Sequence, residues 1–228
     1  MNDLKKKICN ICGTKIPIIA EYCEICKEVK QKSNVYIQYF NRHKNEIPNI
    51  GRLIQKLEKD KKPGHIVHAY CIKKLFEDKN FQITDVELKK NGFDIDIEIN
   101  NSINIQIWHG ASASSYKILN GEISKLGGVE INWDDDKQNI FDKLNQLPND
   151  NFGLLICFDY NLGINILPEW LTKIPKNKAI AELFYTDYGQ GRTNECHLYH
   201  NTNFKYLEQA KQIVTSLGFP VKEMQFQS

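Results

Sequence analysis

From Phe93 to Trp108 apolar and polar side chains trade places at nearly every step, and no other stretch constrains the fold of this chain as tightly. Phe93, Ile95, Ile97 and Ile99 fall on one side, and Asp94, Asp96, Glu98 and Asn100 on the other. Asn101-Ser102 turns the chain, and Ile103, Ile105 and Ile107 then alternate with Asn104, Gln106 and Trp108. A period of two is that of β-strands, whose successive side chains point to opposite faces. A third strand precedes them over Phe81 to Leu88, with an irregularity expected at Asp85, and Asn91-Gly92 supplies a hairpin turn. The middle of the chain is therefore an antiparallel meander.

Helical periods flank it. His65 to Asp78 carries Ile66, Ala69, Tyr70, Ile72, Leu75 and Phe76 as a largely apolar stripe after the breaker Pro63-Gly64. Shorter helices are expected over Asn34 to His43 and Arg52 to Lys59, with Lys27 to Ser33 as a polar connector. Beyond the meander, Gly110 to Ser115 reads as loop and Gly121 to Asn132 carries no assignment. A helix runs from Asp134 to about Leu147, its acids placed at the positive N-terminus. A buried strand follows over Phe152 to Asp159, then a short helix over Pro168 to Ile174 and a strand over Ala179 to Thr186. An edge strand over Glu195 to Tyr199, a helix over Phe204 to Leu217 stopped by Gly218, and a strand over Val221 to Phe226 complete the reading. Helices interleaved with strands in this order imply an α/β fold: a mixed sheet flanked by helices.

Near the start, Cys9, Cys12, Cys23 and Cys26 form two CxxC pairs. Each pair can put two thiolates on one tight knuckle, and two knuckles complete a closed tetrahedral Zn²⁺ site. Gly13 suits the turn after the first pair. So short a segment cannot bury a core, so bound metal would supply most of its folding free energy. The stretch resembles the short zinc-ribbon module CxxCGxxI…A.(F/Y)CxxC at every position of that pattern. The competing use of a CxxC, as a redox dithiol, needs only one such pair. The expected organisation is a zinc ribbon over 1–30, a helical connector over 31–63 and an α/β domain over 64–228.

Composition narrows the function classes. At 41% hydrophobic and 25% charged residues, the chain matches an ordinary globular protein. Three cysteines outside the ribbon, Cys71, Cys157 and Cys196, are scattered and odd in number, which fits reduced thiols and a cytoplasmic location. No apolar run approaches the roughly 20 residues that span a bilayer, so no membrane partner is expected. A net charge of +2 does not announce a nucleic-acid binder, and any basic footprint must be local, as in Lys56, Lys59, Lys61, Lys62, Lys73 and Lys74.

The polar stripe of the meander is the candidate for chemistry. Three like charges on one strand face repel, and one use for them is to hold Mg²⁺ through oxygen ligands. A helix, a meander with Gly-x-Asp on its second strand and Gln-x-Lys on its third, then a helix and a strand, is the layout of the PD-(D/E)xK nucleases. From about Gly64 to Asp159 this chain resembles that fold, and the Gln variant resembles its Mrr-like restriction-endonuclease branch. Gly92-Phe93-Asp94 matches the first element and Gln106-Ile107-Trp108 stands at the second. The resemblance implies a Mg²⁺ site at Asp94, Asp96 and Gln106. It departs from the family where Trp108 replaces the lysine, Phe93 replaces the proline before the aspartate, and His68 stands where the preceding helix often has glutamate. Lys117 or His109 would have to reach back to replace the missing cation.

Simpler readings stay open. The acidic stripe could be a solvated sheet face, Trp108 could be packing rather than a base-stacking platform, and the lysine cluster a solvated helix surface. His65 and His68 lie one helical turn apart without a third ligand in sequence; His197 and His200 do not share a strand face, though Cys196 adjoins them. The leading expectation is a zinc-ribbon protein whose degenerate nuclease-like domain binds nucleic acid, DNA before RNA, without cleaving it. Two others compete: an active Mg²⁺-dependent endonuclease with a relocated lysine, and a protein-interaction scaffold that recruits its partner through the ribbon.

Overall fold

The computed structural model describes residues 6–8, 15–17, 20, 24–59, 63–90, 93–109, 116–119, 122–125, 133–158, 171–187 and 192–222. Strands β1 (Lys6–Ile8) and β2 (Lys15–Pro17) pair antiparallel. Three helices follow, α1 (Glu24–Arg42), α2 (Gly51–Lys59) and α3 (Pro63–Glu77), and then the meander β3 (Ile83–Lys90), β4 (Phe93–Ile99) and β5 (Ile103–His109). A small hairpin, β6 (Tyr116–Leu119) with β7 (Glu122–Lys125), and α4 (Trp133–Gln146) lead to β8 (Phe152–Phe158). The chain continues through β9 (Lys178–Asp187), β10 (Arg192–His200), α5 (Leu207–Ser216) and β11 (Val221–Lys222).

One seven-stranded sheet, in the order β11-β10-β9-β8-β5-β4-β3, organises the body. The meander is antiparallel, β5, β8 and β9 run parallel, and β10 returns antiparallel along the full length of β9. A parallel neighbour requires a long crossover, and the segment carrying α4 provides it between β5 and β8. The mixed α/β sheet flanked by helices is thus as expected. Alternation divides its faces. Ile97, Ile99, Ile105 and Ile107 join Leu154, Ile156 and Ala181 under α1, α2, α3 and α5, whereas Leu155, Cys157, Ile180 and Tyr199 face α4. Each fully buried Leu or Ile contributes about 1.5–3 kcal/mol. Among the described residues no helix is long and apolar enough to cross a membrane.

Several expectations need correction. Lys27 to Ser33 is helix rather than connector, because Val29, Ser33, Tyr36 and Phe40 recur at helical spacing and are all buried. The boundary drawn between 30 and 31 therefore falls inside α1, and α1 and α2 share one core with α3 and the sheet. Residues 116–119 and 122–125 form β6 and β7, which pair antiparallel in a two-stranded sheet of their own. β10 is longer than expected and is no edge at Cys196 and His197, where β11 pairs with it. The expected loop over 110–115 and residues 168–170 of the expected helix over 168–174 lie outside the described residues, and after Leu171 the described remainder of that stretch is turn and bend.

Two expectations rested on single residues and hold. The β3–β4 register shifts between Ile83 and Asp85. Gly218, at φ +88°, ends α5 as a Schellman turn, with Gly218 N–H donating to the Thr215 carbonyl at 2.8 Å and Phe219 N–H to the Val214 carbonyl at 3.0 Å.

The chain leaving α4 is held by two neighbours in the loop before and at the start of β9. Asn177 donates to the carbonyls of Asn149 and Asn151, and the wholly buried Lys178 donates through Nζ to the Leu147 carbonyl at 2.6 Å. Burial lowers the Lys178 ammonium to about 8. The folded chain therefore binds fewer protons here than the unfolded chain between about pH 8 and 10.5, so the Lys178 contribution to stability rises with pH across that window. Measured by urea midpoints, the advantage of wild type over Lys178→Met should grow by roughly 3 kcal/mol from pH 7.5 to 10.5. A flat difference would show that the ammonium is solvated in the fold.

Candidate metal centre

The meander opens at one end. β4 and β5 pair only at Ile97–Ile105, Glu98–Asn104 and Ile99–Ile103. Past that point the strands part, and the Ile107 N–H donates not to a backbone carbonyl but to Asp96 Oδ2 at 2.6 Å. A buried backbone donor must find an acceptor, so the fork draws the Asp96 carboxylate between the strands, where the residue is 8% exposed.

Across from it stands Glu87. Val86 pairs with Ile97 and Leu88 with Ile95, which sets Glu87 opposite Asp96. Its φ is +52°, a left-handed conformation uncommon for any residue but glycine and costing on the order of 1–3 kcal/mol. That twist re-aims the side chain, and α2 with its preceding turn holds it. Arg52 Nη1 donates to the Glu87 carbonyl at 3.0 Å, and Lys56 Nζ pairs with Glu87 Oε2. Just ahead of α2, Asn49 donates to Asp85 Oδ1 at 2.9 Å, and the same oxygen accepts the Val86 N–H.

α3 supplies the third member. His68 Nδ1 lies 3.1 Å from Glu87 Oε1 and 3.6 Å from Asp96 Oδ1. His68, Glu87 and Asp96 each present one ligand atom, all within 4.8 Å of one another, and they are the only such group of three among the described residues. Burial disfavours the imidazolium, but the Asp96 and Glu87 carboxylates outweigh it and raise the His68 pKa. Burial also works against the Glu87 carboxylate, yet His68 and Lys56 hold it down at about 2. For Asp96 burial prevails and the pKa is raised, against the pull of His68 and the Ile107 N–H. Two acids and one imidazole thus meet in a buried fork, where an entering cation would compete with protons for the same atoms.

The trio opens onto a cavity of about 910 Å³ that Gln106, Trp108, Lys56, Arg52 and Lys143 also line. Gln106 is 6% exposed, and its Oε1 is buried with no hydrogen-bond partner among the described residues. An unmet buried acceptor costs about 1–3 kcal/mol and calls for an explanation.

Of the residues singled out by sequence, Asp96 and Gln106 come together here. Asp94 lines the same cavity from its rim but is not part of the trio: its side chain is 68% exposed and 3.7 Å from Lys89 Nζ. Glu98 is buried and accepts from Thr84 Oγ1. The solvated-face reading therefore fits Asp94 alone of the three acids. Trp108 is half-buried and packs against the α4-side cluster while forming part of the cavity wall. Lys117 falls in β6 opposite Ser124, and its side chain lies outside the described residues, as does that of His109. Cys9, Cys12 and Cys23 are also outside them; β1 and β2 pair on either side of Cys9 and Cys12, and the Cys26 backbone lies in the first turn of α1. Cys196 is buried in the α3-side core, whereas His197 meets Glu182 at 3.2 Å and His200 bonds the Asn201 carbonyl. Those three do not converge.

Sequence reasoning missed Glu87 and left Lys56 in a general basic cluster. The hairpin held a usable signal for Glu87. With Asn91-Gly92 as a two-residue turn, Lys90 faces Phe93 and position 87 faces Asp96. Lys56, 31 residues before its partner, leaves no such trace. No protein-family model matches this chain, and no curated protein or solved structure matches it either.

Proposed function

We propose that the chain is a divalent-cation-dependent phosphodiester hydrolase of the restriction-endonuclease-like type, acting on DNA, with its lysine carried by α2 instead of β5. The observation behind this reading is the convergence of Lys56, Glu87, His68 and Asp96 on one cavity. The order of elements from α3 through the meander and α4 to β8 supports it, as does Gln106 on the third strand of that meander.

The residues present fit a cation. Three deprotonable donors lie within 4.8 Å, and the unmet Gln106 Oε1 borders the same cavity. A divalent ion held there supplies Lewis-acid chemistry, withdrawing charge from a phosphoryl group and making water a nucleophile near neutral pH. The chain's own groups do the rest. Lys56 places a positive charge where negative charge develops on the phosphoryl oxygens. Arg52, Lys89 and Lys143 give the rim a basic character suited to flanking phosphates. The Trp108 indole excludes water from one wall and offers a stacking surface for a base. In this reading Cys9, Cys12, Cys23 and Cys26 hold a structural zinc and the ribbon adds a second contact to DNA or to a partner protein.

The test is plasmid nicking by the full chain with Mg²⁺ or Mn²⁺ added, against the same protein without added cation. Cation-dependent conversion of supercoiled to open-circle DNA is expected. Plasmid that is shifted on a gel yet never cut would establish binding without chemistry and overturn the hydrolase reading. Neither shift nor cleavage at low salt would favour the scaffold.

A further inference from the structure

We propose that the fork between β4 and β5 is a manganese(II) site, selective for that class of ion over Mg²⁺. The inference rests on the proposed function for its location but not for cleavage. Its basis is the identity of the third ligand. Two carboxylates alone would make a hard, all-oxygen site of the kind Mg²⁺ uses while keeping several waters. Here α3 inserts a nitrogen. His68 is 9% exposed, and its Nδ1 lies within 3.6 Å of an oxygen on each acid, so an ion reaching both carboxylates also meets the imidazole.

The amide oxygen argues the same way. Gln106 Oε1 is buried without a hydrogen-bond partner and belongs to the lining of the same cavity, which gives a neutral fourth donor with no other task among the described residues. One nitrogen, two carboxylates and one amide oxygen form a mixed set. Imidazole suits first-row transition ions, and carboxylate, carbonyl and water suit Mn²⁺. Zn²⁺ in a closed site would prefer sulfur and nitrogen in a tetrahedron, and the cavity beside the trio has room for further water ligands that a tetrahedral ion would not use.

His68 is held independently of any ion. It sits in the middle of α3, between the core residues Val67 and Ala69, and the backbone of that helix does not depend on the ring.

The experiment uses the full chain with its ribbon zinc retained and reads binding directly. Mn²⁺ is titrated by electron paramagnetic resonance, which follows the loss of the free-ion signal, and Mg²⁺ is then added as competitor. One Mn²⁺ per chain is expected, displaced only by Mg²⁺ in about thirtyfold or greater excess. His68→Asp, which makes the set all-oxygen, should reduce that excess by about tenfold or more while circular dichroism shows an unchanged fold. His68→Gln serves as the second variant if the aspartate disturbs α3. Mg²⁺ competing on equal terms with Mn²⁺ in the wild type would overturn the selectivity. So would Mn²⁺ binding that survives Glu87→Gln with Asp96→Asn, because the ion would then sit elsewhere. Selective Mn²⁺ binding without plasmid nicking would uphold this site and reject the hydrolase; nicking with no metal preference would do the reverse.

Discussion

Asp96→Asn should lower cation-dependent DNA cleavage by about 10²–10⁴-fold and abolish Mn²⁺ binding, while Asp94→Asn should stay within about threefold of wild type. The two positions share a strand and are two residues apart, yet they occupy different worlds. The Asp96 carboxylate is buried in the fork and bonded to the Ile107 N–H, whereas Asp94 extends from the rim with Lys89 beside it. Asparagine keeps an oxygen for that N–H, so the meander should survive; it removes only the charge an ion requires. Burial already raises the Asp96 pKa, so thermal stability of the asparagine variant without added cation should equal or exceed that of wild type. Nicking rates, Mn²⁺ titrations and melting curves on the two variants decide the matter. If Asp94→Asn is the damaging change, the site lies at the mouth and not in the fork.

Lys56→Met should cost cleavage about 10²–10³-fold and leave Mn²⁺ affinity within a few-fold of wild type. Methionine retains most of the aliphatic stem on α2 and removes only the ammonium. That charge serves two purposes. It pairs with Glu87 Oε2 and helps hold that carboxyl down at about 2. In the proposed chemistry it also steadies charge on the phosphoryl group. Without it the Glu87 carboxyl rises, but His68 remains beside it at 3.1 Å, so the acid still ionises well below neutral pH. Single-turnover cleavage at saturating Mn²⁺ separates the two purposes. Lys117→Ala, made in parallel, should behave as wild type. Unimpaired cleavage by Lys56→Met would reject α2 as the source of the catalytic cation.

The meander was legible because alternation is a local signal. Ile95, Ile97, Ile99, Ile103, Ile105 and Ile107 are all buried, and the pairing of Lys90 with Phe93 fixes which residues face each other across β3 and β4. The Schellman stop at Gly218 and the irregularity at Asp85 were likewise written in single residues. What escaped was nonlocal. The fork between β4 and β5 depends on where pairing ceases, and nothing in Asp94-Ile95-Asp96 distinguishes the acid drawn inward from the one left outside. Alternation treats them alike; only the Ile107 N–H, which finds its acceptor in Asp96, separates them. Glu87 was within reach of the hairpin register, which sets it opposite Asp96, but its left-handed backbone and its tie to Lys56 left no local trace. Lys56 looked like part of a solvated basic surface because the pair it forms spans α2 and β3. In α1 the lysines at 27, 30 and 32 masked a buried stripe whose members are only one per turn.

The left-handed turn of the chain at Glu87 carries a consequence for any laboratory evolution of this protein. Glycine and asparagine tolerate φ +52° far better than glutamate does. Libraries screened for heat resistance alone should therefore enrich either residue at position 87, and the survivors would be sturdier proteins that have lost one acid of the fork. Screening for resilience and for metal uptake together should keep glutamate there, so the residue recovered at that one codon reports which demand was imposed.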